Sequence, residues 1–199
     1  MTDWKLSRWT GLHANMIRRK TPGDGSCLIH SVLYSVSDAY REMELSNREK
    51  LTRKIRDEMA NNIRLYWDNI IVNKDLAKIV EDAIEKGTEN ELDDDIIAQY
   101  SLENVVEDLK CDSFLNETLV RYLSLLFNIN IIIYSVQNKN QYHLGVEQII
   151  DYDKQSTIIV AHSGNHFETM GQKLGEDHVL LIFSNTHPTI EQILYLSPV

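Results

Sequence analysis

A chain of 199 residues, 43% hydrophobic and 25% charged, has the length and balance of one folded globular domain rather than a disordered segment. Its net charge of −10 argues against a nucleic-acid partner, because binding phosphates recruits Lys and Arg. No run of about 18 apolar residues occurs, so neither a membrane-spanning helix nor a membrane partner is expected.

The charge is unevenly placed. Residues 75–113 hold 13 Asp/Glu against 3 Lys, whereas residues 1–20 hold five Lys/Arg against one Asp. An acidic run is usually a solvated face; the alternative is a docking surface for a basic partner. Two cysteines, Cys27 and Cys111, show neither Cys-x-x-Cys nor His-x-x-x-His spacing. Neither a metal site nor a cofactor is therefore expected. The first residues carry no secretory apolar core, which points to reduced thiols in a cytoplasmic setting.

Residues 1–20 carry Trp4, Trp9, Leu12 and Met16, enough apolar surface to pack, as a helix over the core or as an arm. Then comes Thr21-Pro22-Gly23-Asp24-Gly25-Ser26-Cys27-Leu28-Ile29-His30. Gly23 and Gly25 are expected to supply backbone freedom for a turn. From Leu28 apolar residues recur at helical spacing through Val32, Val36, Ala39 and Tyr40. Cys27 would then sit in the first helical turn, where unpaired N–H groups and the positive dipole end favour a thiolate. The N–H groups of Asp24, Gly25, Ser26 and Cys27 could converge on an oxyanion. A small buried cysteine merely filling a helix start is the competing reading, and the loop alone leaves the two balanced.

Ser46-Asn47-Arg48-Glu49 reads as a capping box with Ser46 as N-cap, opening an amphipathic helix to about Trp67 through Leu51, Ile55, Met59, Ile63 and Tyr66. A helix from Asp75, with Leu76, Ile79, Val80, Ala83 and Ile84 inward, should stop at Gly87. Thr88 to Asp95 reads as an exposed acidic loop, and residues 96–109 as helical turns broken near Ser101. Cys111 lacks a glycine turn and a following apolar helix start, and reads as structural or incidental. Asn116 caps a helix through Leu126 that feeds Ile129–Tyr134, a β-branched run suited to a central, doubly covered strand. Asn138–Asn140 reads as a turn, Tyr142–Val146 and Thr157–Ala161 as strands, His178–Phe183 as a further strand, and Pro188–Leu196 as a closing helix.

Between the strands Thr157–Ala161 and His178–Phe183 lies Gly164-Asn165-His166-Phe167-Glu168. In an extended chain His166 and Glu168 face the same way, so the carboxylate could orient the imidazole. Three histidines compete as a base for Cys27: His30, one helical turn away, His162, and His166. Asp24 could equally be a turn-forming Asx residue.

Asp24-Gly25-Ser26-Cys27-Leu28 resembles the nucleophile box of the OTU (ovarian-tumour) cysteine proteases, and Asn165-His166-Phe167-Glu168 their histidine box. The order also matches: cysteine early, histidine late, a mostly helical insert between. Gly23 to Ser31 is similar to the OTU proteins of large DNA viruses. The resemblance covers about residues 20–172 of a single catalytic domain spanning 1–199, with 1–19 as an N-terminal segment and 173–199 as a C-terminal extension. It implies an α/β (α+β) papain-type fold, a small central sheet packed between helices. It also implies a deubiquitinase that cleaves the isopeptide bond after the C-terminal Gly-Gly of ubiquitin or a ubiquitin-like modifier, in polyubiquitin chains, within the host cytoplasm if the protein is viral. By the same resemblance Cys27 is the nucleophile, His166 the base and Glu168 the third residue, where the family usually has Asp or Asn. Asp24 supports the cysteine loop or the oxyanion. Ser163, Gly164 and Asn165 line the channel for the two glycines. An inactive ubiquitin-binding module of the same fold is the alternative.

Overall fold

The computed structural model describes residues 4–6, 15–71, 74–111, 117–135, 153–163, 166–176 and 178–196. A mixed sheet forms the centre, and β4 (Ser156–Ser163) is its organising strand. Residues Thr157 to Ala161 are all buried because the strand is covered on both faces, which explains their unbroken apolar and β-branched run. It pairs in parallel with β3 (Asn130–Ser135) and antiparallel with β5 (His166–Lys173). Outside β5 come β2 (Met16–Arg19) and then β1 (Trp4–Leu6). Two short strands, β6 (Val179–Leu180) and β7 (Phe183–Ser184), add to β5 and β4.

Strand alternation sorts the core into two clusters. Ile131, Ile158, Val160 and Phe167 face a large helical layer, whereas Ile132, Tyr134, Ile159, Ala161 and Met170 face the other side. The helical layer is built from α1 (Cys27–Val36), α2 (Asp38–Glu42), α3 (Leu45–Ile70), α4 (Lys74–Lys86), α5 (Asp94–Tyr100), α6 (Leu102–Lys110) and α7 (Glu117–Phe127). The opposite face is closed by α8 (Pro188–Leu196), through Ile190 and Ile193. The expected mixed α/β class, a small sheet between helices, is what the chain adopts. Each fully buried Leu or Ile in these layers contributes about 1.5–3 kcal/mol against exposure.

Several local expectations shift. The helix starting at Cys27 stops at Val36, because Ser37 turns extended and its side chain accepts the Tyr40 N–H, opening α2. α3 begins at Leu45 with Glu44 as its N-cap, two residues ahead of the expected cap at Ser46. Ile79 and Ile84 lie exposed on α4, since Ala77, Val80 and Ala83 form the buried stripe. Gly87, at φ 67°, ends that helix as expected, and Ser101 caps α6 by accepting the Asn104 N–H at 3.3 Å. β3 is covered on both faces but stands at the end of the described strand order, not its centre. The run 178–183 forms two strands of two residues, not one continuous strand. Met16 packs in β2, and the tryptophan segment around Trp4 contributes β1. Trp9, Leu12, Asn116, the turn at 138–140 and the strand at 142–146 lie outside the described residues.

The packing of α1 on the sheet fixes the position of its first residue. Residues Cys27 to Ser35 are all buried, so the two interior serines satisfy their hydroxyls locally. Ser31 donates to Cys27 O at 2.8 Å and Ser35 to Ser31 O at 2.9 Å. Thr169 on β5 donates to Ser31 O across the interface, at 3.3 Å.

Candidate active site

Cys27 opens α1 and is 1% exposed. The turn before it needs one glycine for its conformation: Gly25 has φ 79°, a region that costs a side chain roughly 1–2 kcal/mol. Gly23, expected to share this role, has an ordinary φ and open space around it. Asp24 Oδ1 accepts the Ser26 N–H at 3.0 Å, an Asx turn that shapes the approach to the cysteine. That bond occupies one of the four N–H groups expected to serve an oxyanion. Asp24 Oδ2 receives His30 Nε2 at 2.9 Å, and the other ring nitrogen, Nδ1, bonds the Tyr40 hydroxyl.

His30 is thus a supporting residue and not a base for the thiol. A phenol donating to Nδ1 requires the neutral tautomer with its proton on Nε2, directed at Asp24. The electrostatics agree. Burial pushes the His30 imidazole below its usual range despite the pull of Asp24. Burial also pushes the Tyr40 phenol far up, so it stays a donor. At Asp24 burial would raise the carboxyl, but the bonds from His30 and the Ser26 N–H outweigh it and hold it below the ordinary range.

Arg56 on α3 secures the same turn from below. It is 3% exposed and donates to Gly25 O at 2.8 Å and Leu109 O at 3.0 Å, and it also bonds Asp108 O and Cys111 O. A guanidinium at the C-terminal end of α6 suits the negative end of that helix. Neither His30 nor Arg56 was assigned a supporting role from the sequence. Arg56 does interrupt the apolar stripe of α3 at a position that must face inward, and that was the available signal.

On β5 the residue next to the candidate base touches the sulfur: Phe167 N–H donates to Cys27 Sγ at 3.4 Å. Phe167 turns into the helical core, so His166 and Glu168 lie on the opposite face of the strand, sharing a side as expected. Their partners differ from the expectation. His166 Nε2 faces Thr21 Oγ1 at 3.5 Å, and the same hydroxyl donates to Phe167 O. Glu168 Oε2 forms an ion pair with Arg18 Nη1 on β2, at 3.0 Å and without hydrogen-bond alignment. A hydroxyl, not the carboxylate two residues on, therefore stands at the imidazole. The longer Glu side chain reaches the neighbouring strand, where β2 presents arginine. His162 stacks on Phe167 with centroids 4.4 Å apart. Ser163 is exposed at the end of β4, while Gly164 and Asn165 lie outside the described residues.

The thiol differs from the sequence expectation too. Burial pushes its pKa up, and the Asp24 charge adds to the rise, against the N–H groups of Phe167 and Leu28. At rest Cys27 is a protonated thiol despite its helix start, because the whole first turn is buried. Such a thiol needs a base to become a nucleophile. Cys111, by contrast, is exposed at the end of α6. Among the described residues no group of three His, Cys, Asp or Glu could hold a metal ion.

No family model matches the chain, and no characterised protein matches it in sequence. Among solved structures it is similar to an ovarian tumour (OTU) domain in complex with ubiquitin, at 14% identity over 98% of this chain and 89% of that one, with a TM-score of 0.48. It is also similar to the viral OTU domain protease from Farallon virus, at 16% identity over 86% of this chain and 98% of that one, with a TM-score of 0.49. The Hazara virus OTU bound to ubiquitin matches at 14% identity over 80% of this chain and 83% of that one, with a TM-score of 0.45. Identities this low and TM-scores below 0.5 leave function to be read from the side chains of this chain.

Proposed function

We propose that the chain is a thiol-dependent hydrolase acting on the isopeptide bond after the C-terminal Gly-Gly of ubiquitin or a ubiquitin-like modifier. The observation that carries the reading is Cys27 at the start of α1 with the N–H of Phe167, the neighbour of His166, on its sulfur. His166 removes the thiol proton and the thiolate adds to the glycine carbonyl carbon. The oxygen becomes negative beside the backbone N–H groups of the turn, less the Ser26 N–H held by Asp24. Collapse breaks the C–N bond, and the proton on His166 goes to the leaving lysine amine. Water, activated by the same imidazole, then cleaves the thioester. The ubiquitin substrate is inferred from the cysteine and histidine boxes; ubiquitin is also what two of the similar structures contain. In this reading the chain is one catalytic domain working on polyubiquitin in the cytoplasm.

Ubiquitin bearing a C-terminal electrophile tests it. A covalent adduct should form, should vanish in Cys27→Ala and should persist in Cys111→Ala. Labelling that follows Cys111 would sink the assignment. The raised thiol pKa and the diversion of Glu168 to Arg18 favour a second reading, an inactive ubiquitin-binding module. Saturable ubiquitin binding without adduct formation or di-ubiquitin cleavage would establish that one.

A further inference from the structure

The ion pair between Arg18 and Glu168 stands on the face of the sheet that carries His166. Register sets Arg18 on β2 opposite Met170 on β5, and alternation puts His166, Glu168 and Met170 on one face of β5. Arg18 therefore meets Glu168 on the diagonal, a spacing that long side chains bridge. Its Nη1 lies 3.0 Å from Glu168 Oε2, yet that oxygen is buried and has no hydrogen-bond partner among the described residues. A carboxylate oxygen in that state is held by charge alone and lacks the directed donor that would stabilise it.

His166 is short of a partner of the opposite kind. Its Nε2 faces Thr21 Oγ1 at 3.5 Å, a long contact to a neutral oxygen whose proton already goes to Phe167 O. In the proposed reaction the thiol proton passes from Cys27 Sγ to His166, leaving a thiolate and an imidazolium. A hydroxyl at that range does little for the cation, whereas a hydrogen bond to a carboxylate is roughly twice as strong as a neutral one. Glu168 is two strand residues away, a rise of about 6.6 Å, and a glutamate side chain spans that gap. The ion pair holds its carboxylate against the neighbouring strand instead.

We propose that Arg18 is a positioning residue that withholds Glu168 from His166, so that the ion pair restrains the reactivity of Cys27. The proposal rests on the reading of Cys27 and His166 as nucleophile and base. Removing the guanidinium frees the carboxylate to turn to the imidazole.

Two readouts test it. Alkylation of Cys27 by iodoacetamide, resolved from Cys111 by mass spectrometry, needs no ubiquitin; di-ubiquitin turnover does. Arg18→Gln should raise the alkylation rate and kcat by about tenfold each, the margin between a charge-assisted bond and a neutral one, with KM little changed. On a Glu168→Ala background the same substitution should raise neither, because the carboxylate it would free is gone. Arg18→Lys keeps a cation for Glu168 and should show little of the gain. Arg18→Met keeps the aliphatic stem in β2 and is the second variant should Arg18→Gln fail to fold. A gain that persists without Glu168 would mark a direct effect of charge, and no gain in a folded variant would mark a purely structural ion pair; either overturns the proposal. The expected alkylation pattern without di-ubiquitin cleavage would uphold the restraint and refute the hydrolase, whereas cleavage with no gain would do the reverse.

Discussion

At the scale of single residues, the imidazole of His166 has a hydroxyl partner where the sequence offered a carboxylate. Thr21 is buried and its Oγ1 serves both His166 Nε2 and Phe167 O. Thr21→Val keeps the shape and removes those bonds. Losing a neutral hydrogen bond of about 0.5–1.5 kcal/mol in orientation should lower kcat by roughly 2–10-fold with KM little changed. Glu168→Ala should cost about 1 kcal/mol of stability, the scale of a partly exposed ion pair, and leave kcat within a few-fold. A fall of about 10² or more would instead show the carboxylate swinging from Arg18 to His166 in the substrate complex, since general acid–base support has that magnitude. The buried His30 carries a pH signature. Its folded pKa lies below the unfolded value near 6.5, so between those two values the unfolded chain holds more protons. Stability therefore rises with pH across that window and is lost as pH falls through it. Asp24, held below its ordinary range, acts in the same direction at lower pH. The groups around His30 are Asp24, Tyr40, Glu49 and Arg48. The unfolding free energy from urea denaturation should drop from about pH 7 downward, by at most about 1.4 kcal/mol per pH unit for this one proton. His30→Gln should flatten that drop, and an unchanged slope in the variant would refute the role.

At the scale of elements, the cysteine turn is held between two helices by one side chain. Arg56 on α3 connects Gly25 O in the turn with the last carbonyls of α6. Arg56→Met fills similar volume but leaves those buried carbonyls without their donor. A loss on the order of 3 kcal/mol is expected in urea denaturation, the range for stripping a charged donor from a buried network. The rate of Cys27 labelling by the ubiquitin electrophile should fall further than stability alone accounts for, because the turn carries the N–H groups proposed to face the oxyanion. Normal labelling in a destabilised variant would reduce Arg56 to a helix cap. Gly171 shows how tightly β5 is packed beyond the site: a Cβ there would meet Val179 Cγ1 at 2.6 Å and Leu180 O at 2.8 Å.

At the scale of the whole molecule, charge is segregated. The acidic residues of 75–113 fall mainly on α4, α5, α6 and the short turn at Glu89–Glu91, and Asp75, Glu81, Glu85, Glu91, Asp93, Asp94, Glu103 and Glu107 among them are exposed. The basic residues Arg18, Arg19 and Lys20 sit in and after β2. The proposed substrate, ubiquitin, carries arginines in its tail, so under that proposal the acidic layer should speed its approach. Converting Asp93, Asp94 and Asp95 to Asn should lower kcat/KM at low salt and matter little at physiological ionic strength, where screening acts within about 8 Å. No effect at low salt would make the acidic run a solvated face and nothing more.

The sequence alone determined the elements whose causes are local. The helix start at Cys27, the stop at Gly87, the break at Ser101, the β4 strand and the closing helix follow from glycine conformation, capping and apolar spacing, all read within a few residues. It also singled out Cys27 and His166 as candidates from their recognisable surroundings, and the fold brings their segments together through the Phe167 N–H on the Cys27 sulfur. What only the tertiary structure decided depends on groups brought together from distant segments. The thiol is raised because α1 is buried against β5 and β4, and no local rule for a helix start contains that desolvation. Thr21 meets His166, Arg18 takes Glu168, His30 holds Asp24 and Arg56 grips the cysteine turn because the sheet register and the helical layer set those distances. A sequence lists the donors and acceptors; packing chooses which of them pair, because a buried polar group must find a partner among whatever the fold places within reach.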